Sequence, residues 1–174
     1  MKSSIKILKI TIIALISFVS EVNANDAHSQ SVSANSKARV ITPISLENTS
    51  GQGLDFGVIA LGTSESKVVV SAEATVPVNV LSGNSVVVTS TPQKAAKFTV
   101  SGEAGQAYTI TLPSSATLVS GANSLIVANF TCSNGTGGNI GTNDVFYVGG
   151  ELTIPAGAVP AVYQGTFNVT VAYN

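Results

Sequence analysis

Apolar residues in this chain alternate with polar ones instead of recurring at helical spacing. The cleanest run lies near its end, where Phe167, Val169, Val171 and Tyr173 alternate with Thr166, Asn168, Thr170 and Ala172. Period two is the mark of a strand with one buried and one solvated face. Phe98 and Val100 repeat it, as do Tyr108, Ile110 and Leu112 against Thr109 and Thr111. The triplets Val68-Val69-Val70 and Val86-Val87-Val88 assign no face by themselves, but β-branched side chains disfavour helix and suit strands. With Gly, Ser, Asn and Pro clusters between the runs, the pattern predicts strands over 39–46, 54–59, 66–71, 75–80, 86–90, 97–101, 108–112, 124–130, 144–148, 151–154 and 163–173. No segment offers a helical stripe, and without helical crossovers the sheets are antiparallel, in a sandwich or barrel. Gly149-Gly150 reads as a hairpin turn or a bulge, and Cys132 to Asn143 as the longest loop of the domain.

The beginning of the chain departs from this pattern. Lys2, Lys6 and Lys9 precede an apolar run from Ile10 to Val19 and the small-residue site Val22-Asn23-Ala24, the layout of a secretory signal peptide cleaved after Ala24. The apolar run is about half of the roughly 20 residues that span a bilayer, so no membrane insertion is expected after cleavage. Residues 25–37 are small and polar without periodicity and read as a flexible leader. Residues 38–174 then form one β domain of the size that supports a single core.

Charge and chemistry narrow the function. The chain carries 8 basic and 9 acidic residues, and three of the lysines leave with the signal peptide. The mild acidic balance that remains gives no reason to expect nucleic acid as a partner. After Lys97 there is neither Lys nor Arg, so the second half presents Thr, Ser, Asn and Gly, a surface suited to packing against other copies. Cys132 is the single cysteine, which rules out an internal disulfide in an exported chain and reads best as a small buried residue. His28 is the single histidine and lies in the leader, so a Ser-His-Asp or Cys-His arrangement on a rigid scaffold is missing. Asp55, Asp144 and Glu151 are the only acids placed to act as a carboxylate pair, but Asp55 should point away from Leu54 and Phe56, and Asp144 fits turn chemistry. Calcium loops and Cys/His clusters are absent, so no catalytic residue, cofactor or metal is expected. Tyr147 and Tyr163 are the aromatics left for a binding platform.

Six segments in order carry a resemblance: Val40-Ile41-Thr42-Pro43-Ile44, Leu54-Asp55-Phe56-Gly57, Phe98-Thr99-Val100-Ser101-Gly102, Tyr108-Thr109-Ile110-Thr111-Leu112-Pro113, Phe146-Tyr147-Val148-Gly149-Gly150, and Gly165-Thr166-Phe167-Asn168-Val169-Thr170-Val171. Together they resemble the bacterial DUF4402 family over about residues 38–174. That family is similar to chaperone-usher pilins, especially the archaic, spore-coat-U-like ones. The resemblance implies an all-β, immunoglobulin-like antiparallel β-sandwich, which in pilins lacks one strand. It also implies a periplasmic chaperone, an outer-membrane usher and other copies or pilins as partners, because in pilins a strand from outside completes the sheet. The function implied is that of a non-enzymatic structural subunit or minor component of a fimbrial fibre, exported through the Sec pathway to the cell surface or held in the periplasm. On that scheme the leader, with Val32 and Ala34, is a candidate donor strand, and Phe167, Val169, Val171 and Tyr173 belong to the terminal strand. Two features depart from the pilin pattern: the leader has few apolar residues, and the cysteine pair common in pilins is absent. The donor then either extends over Ala38 and Val40, or the domain is already complete. The alternative is a self-contained secreted adhesin, or carbohydrate- or protein-binding module, using the Gly/Asn loop with Tyr147 or Tyr163.

Overall fold

A computed structural model of the chain describes residues 30–75, 79–88, 92–141 and 144–174. The segment expected to be a signal peptide, residues 1–24, and residues 25–29 of the leader, His28 among them, lie outside the described residues. Arg39–Asn174 forms one unit and Met1–Ala38 another. Residues 30–38 contain neither helix nor strand.

The described residues contain twelve strands and a single 3-10 turn at Thr49–Gly51. The main sheet is built on β11 (Asp144–Ile154), the longest strand. Along one edge β11 pairs first with β6 (Ala96–Ser101) and then with β3 (Ser66–Val70), and along the other with β9 (Asn123–Cys132), all antiparallel. Beyond these lie β1 (Ser45–Asn48) next to β6, β4 (Asn79–Ser82) next to β3, and β8 (Ser115–Ser120) next to β9. Two smaller sheets complete the molecule. One is the ribbon of β2 (Val58–Ala60) and β5 (Val86–Val88), and the other runs β10 (Gly137–Asn139), β7 (Ala107–Thr111), β12 (Thr170–Tyr173).

Alternation decides which face is core. Phe146, Val148, Leu152 and Ile154 share one face of β11 and are buried, as are Phe98 and Val100 on β6 and Val68 and Val70 on β3. Both small sheets lie against this face: Phe56, Ile59 and Val87 pack on the half made by β3, β9 and β11, while Tyr108, Ile110, Val171 and Tyr173 pack on the half made by β6 and β11. The molecule is therefore an all-β antiparallel sandwich with an unbroken first layer and a second layer in two pieces.

Several expectations change. Gly149-Gly150 is no turn, because β11 runs through it without a break. A Cβ at Gly149 would strike the Val70 carbonyl and the Ala72 amide, so glycine lets the chain following β3 cross close to β11. The bulge sits on the partner strand, where Asn129 and Phe130 together oppose Gly150, with Asn129 at φ 49°. That extra residue shifts parity along β9, so Leu125 and Val127 before it and Phe130 and Cys132 after it all face inward. Finally, the predicted loop from Cys132 to Asn143 contains β10, and the strand expected over 39–46 begins only at Ser45.

Candidate functional site

Between the two pieces of the second layer the core lies open. One wall of the opening is the chain from Gly53 to Leu61 and the other is the chain from Ala158 to Phe167. Its wide part, about 1530 Å³, has Leu118, Leu125, Leu152 and Ile154 among its lining. A narrower part of about 330 Å³ continues it, lined by Phe56, Phe98, Val127, Phe130 and Phe167. The two share Gly53, Leu54, Phe56, Leu118, Gly165 and Thr166, so they form one groove. Among the described residues, Asp55 and Lys94 are the only charged ones on it.

Both walls present unused backbone. Among the described residues β2 pairs with β5 alone, which leaves its second edge without a ladder. On the opposite wall Gln164 exchanges two backbone bonds with Val119, at 2.8 and 3.1 Å, and the ladder to β7 starts only at Thr170. Residues 165–169 between them make no backbone-to-backbone hydrogen bond to the described residues. They nevertheless keep the strand's alternation: Phe167 and Val169 are half-buried, and Thr166 and Asn168 are exposed. The Phe167 ring lies 5.0 Å from that of Phe130 and 6.4 Å, edge-on, from that of Phe98, which itself stacks on Phe146 at 5.4 Å. This aromatic cluster holds the wall against the floor while its backbone stays free.

The terminal-strand residues singled out in the sequence fall together. Phe167, Val169, Val171 and Tyr173 all pack on the same half of the core. Tyr173 also closes a polar knot. Its hydroxyl donates to the Thr42 carbonyl and accepts from the Glu103 amide, both at 2.7 Å. The Glu103 carboxylate in turn accepts from the Thr42 amide (3.3 Å), the Thr42 hydroxyl (3.2 Å) and the Arg39 guanidinium (2.7 Å). The bond from Thr42, followed by that from Arg39, holds the Glu103 carboxyl below its ordinary range. The domain's first residues are thus tied to the end of β12. Val32 and Ala34 lie in the segment without regular structure, with Val32 91% exposed.

The remaining candidates have structural tasks. Asp55 accepts from the Gly57 amide at 2.8 Å, and its backbone bridges Lys94. Asp144 accepts from the Gly141 amide at 3.2 Å. Glu151 lies on the opposite face of β11, seven residues on, and accepts from the Lys67 ammonium at 2.8 Å. That bond, first among its causes, holds the Glu151 carboxyl down and the Lys67 ammonium up. At about 3.3 Å per residue, Asp144 and Glu151 stand some 23 Å apart along the strand and form no pair. Cys132 packs against the core half-buried, and desolvation pushes its thiol up. Tyr163 turns inward, its ring on the core and its hydroxyl donating to Val159 at 2.8 Å, while Tyr147 is half-buried on β11. Among the described residues no three His, Cys, Asp or Glu side chains converge as metal ligands, and no helix is long and apolar enough to cross a membrane.

The groove floor was missed in the sequence because its residues come from five separate stretches, and its nearest signal, Ala116 and Leu118 alternating in SATLVS, is short. Residues 44–173 match one family model, described as "Domain of unknown function (DUF4402)". No curated protein and no solved structure matches the chain. Most of the chain is covered by that one match, and the protein belongs to the DUF4402 family.

Proposed function

We propose that this protein is an exported structural subunit of a bacterial surface fibre that receives a β-strand from a neighbouring protein. The observation that carries the reading is the groove between β2 and residues 165–167, with an apolar floor and an unladdered strand edge on each side. One strand laid there would pair with both edges and join the two halves of the second layer, while its inward side chains covered the floor. The signal-like start and the weakly charged second half fit export and lateral packing.

The strand comes from another molecule. The chain leaves the domain at Arg39–Thr42, fastened to Glu103 and Tyr173. Six extended residues, about 20 Å, separate Tyr173 from Phe167, the nearest part of the groove. The leader, residues 25–37, is the segment this subunit passes to a neighbour. A periplasmic chaperone and an outer-membrane usher are the partners such an open sheet requires before it is filled.

Leu118→Lys places a charge in the groove floor without touching β12 or the Tyr173 knot. The full chain should sediment in high-mass assemblies when isolated from its cells, and the variant should stay a folded monomer. Assembly of the variant at the wild-type level, or a wild-type chain that never assembles, overturns the reading.

A further inference from the structure

The shape of the groove limits what fills it. Its narrow part has Phe56, Phe98, Phe130, Phe167, Val127 and Leu118 in its lining, with Asn48 and Thr166 beside them, and a volume of about 330 Å³. A cavity of about 150 Å³ lined by such side chains already holds a benzene molecule. The site therefore has room for Leu, Ile or an aromatic ring, and a smaller side chain leaves a void that weakens the contact. The wide part continues with an equally apolar floor.

The chain's own leader does not meet this demand. In one register it offers Val32, Ala34, Ser36, Ala38 and Val40, none larger than valine. The other register turns Ser33, Asn35, Lys37 and Arg39 toward the floor, burying two charges with no acid on the groove except Asp55.

Resting on the strand-accepting reading above, we infer that the occupant of this groove is a strand of a different protein, uncharged on its inner face and bearing Leu, Ile or aromatic side chains at alternate positions, and not the leader of a second copy. A subunit of this kind does not extend a fibre by repetition of itself. It takes a single place beside another subunit, as a minor component.

Calorimetric titration of the full chain with two synthetic peptides tests this. One is residues 30–42 of the chain, and the other is the same peptide carrying Ala34→Leu, Ser36→Ile and Ala38→Phe. Two further buried methylene groups correspond to about a tenfold change in affinity, so the substituted peptide should bind at least tenfold more tightly, and Leu118→Lys should abolish that gain. Equal or tighter binding of the native peptide overturns the inference and leaves strand acceptance standing. Binding of neither peptide overturns both.

Discussion

Tyr173 shows how much one hydroxyl can hold. By donating to Thr42 and accepting from Glu103 it ties the incoming chain, the turn after β6 and the end of β12 to one atom. Gly102 is beside it because a Cβ there would collide with the Tyr173 hydroxyl. Tyr173→Phe removes both bonds and keeps the ring, so stability should fall by about 1–2 kcal/mol, read as a thermal midpoint lowered by a few degrees. Glu103 makes the knot pH-dependent. Its carboxyl is lowered from an ordinary 4.5, so its contribution is complete above that value and is lost as the pH falls through the lower, folded-state value. The difference in midpoint between wild type and Glu103→Gln should therefore be constant from neutrality to about 4.5 and close below it. Tyr173 was visible in the sequence through the alternation that ends on it. Glu103 was not, because its partners Arg39 and Thr42 lie more than sixty residues away.

At the scale of elements, strands with a polar face and an apolar face were legible, and those whose identity depends on a partner were not. β3, β6 and β7 lie within a residue of their predicted bounds because Val, Ile, Phe and Tyr set them locally. β10 is Gly-Gly-Asn and exists only because β7 supplies its ladder. β8 carries a weak alternation, with Ala116 and Leu118 half-buried, and depends on its pairing with β9. The terminal run predicted as one strand is paired only over Thr170–Tyr173, and its unpaired portion is the groove wall. The glycines at 149 and 150 read as a hairpin turn or a bulge when taken alone, yet β11 needs Gly149 where the chain crosses from β3. Gly149→Ala should cost about 1–3 kcal/mol, the range for forcing atoms into a packed site, and chemical denaturation would measure it.

Across the whole molecule, the fold class could be read from period-two patterning, but the opening in the second layer could not. Its floor is assembled from Phe56, Phe98, Leu118, Val127 and Phe130, residues that look like ordinary core until the layer above them is seen to be divided. The leader stands apart in composition, and Val40 at the domain's edge is 95% exposed although Arg39 and Thr42 on either side are tied down. On the proposed reading, accepting and passing on a strand are separable. A chain lacking residues 25–38 keeps its groove and should still take up a strand, but it ends an assembly instead of lying within one, which sedimentation of mixed assemblies would detect.

The central claim is that residues 165–169 and the free edge of β2 are two halves of one acceptor. Hydrogen exchange on the full chain, with and without the peptide carrying bulky alternate side chains, addresses it directly. Bound peptide should slow exchange at the amides of 58–60 and of 165–169 together, and leave β11 unchanged. Protection confined to other strands, or at neither edge despite binding, would contradict the account.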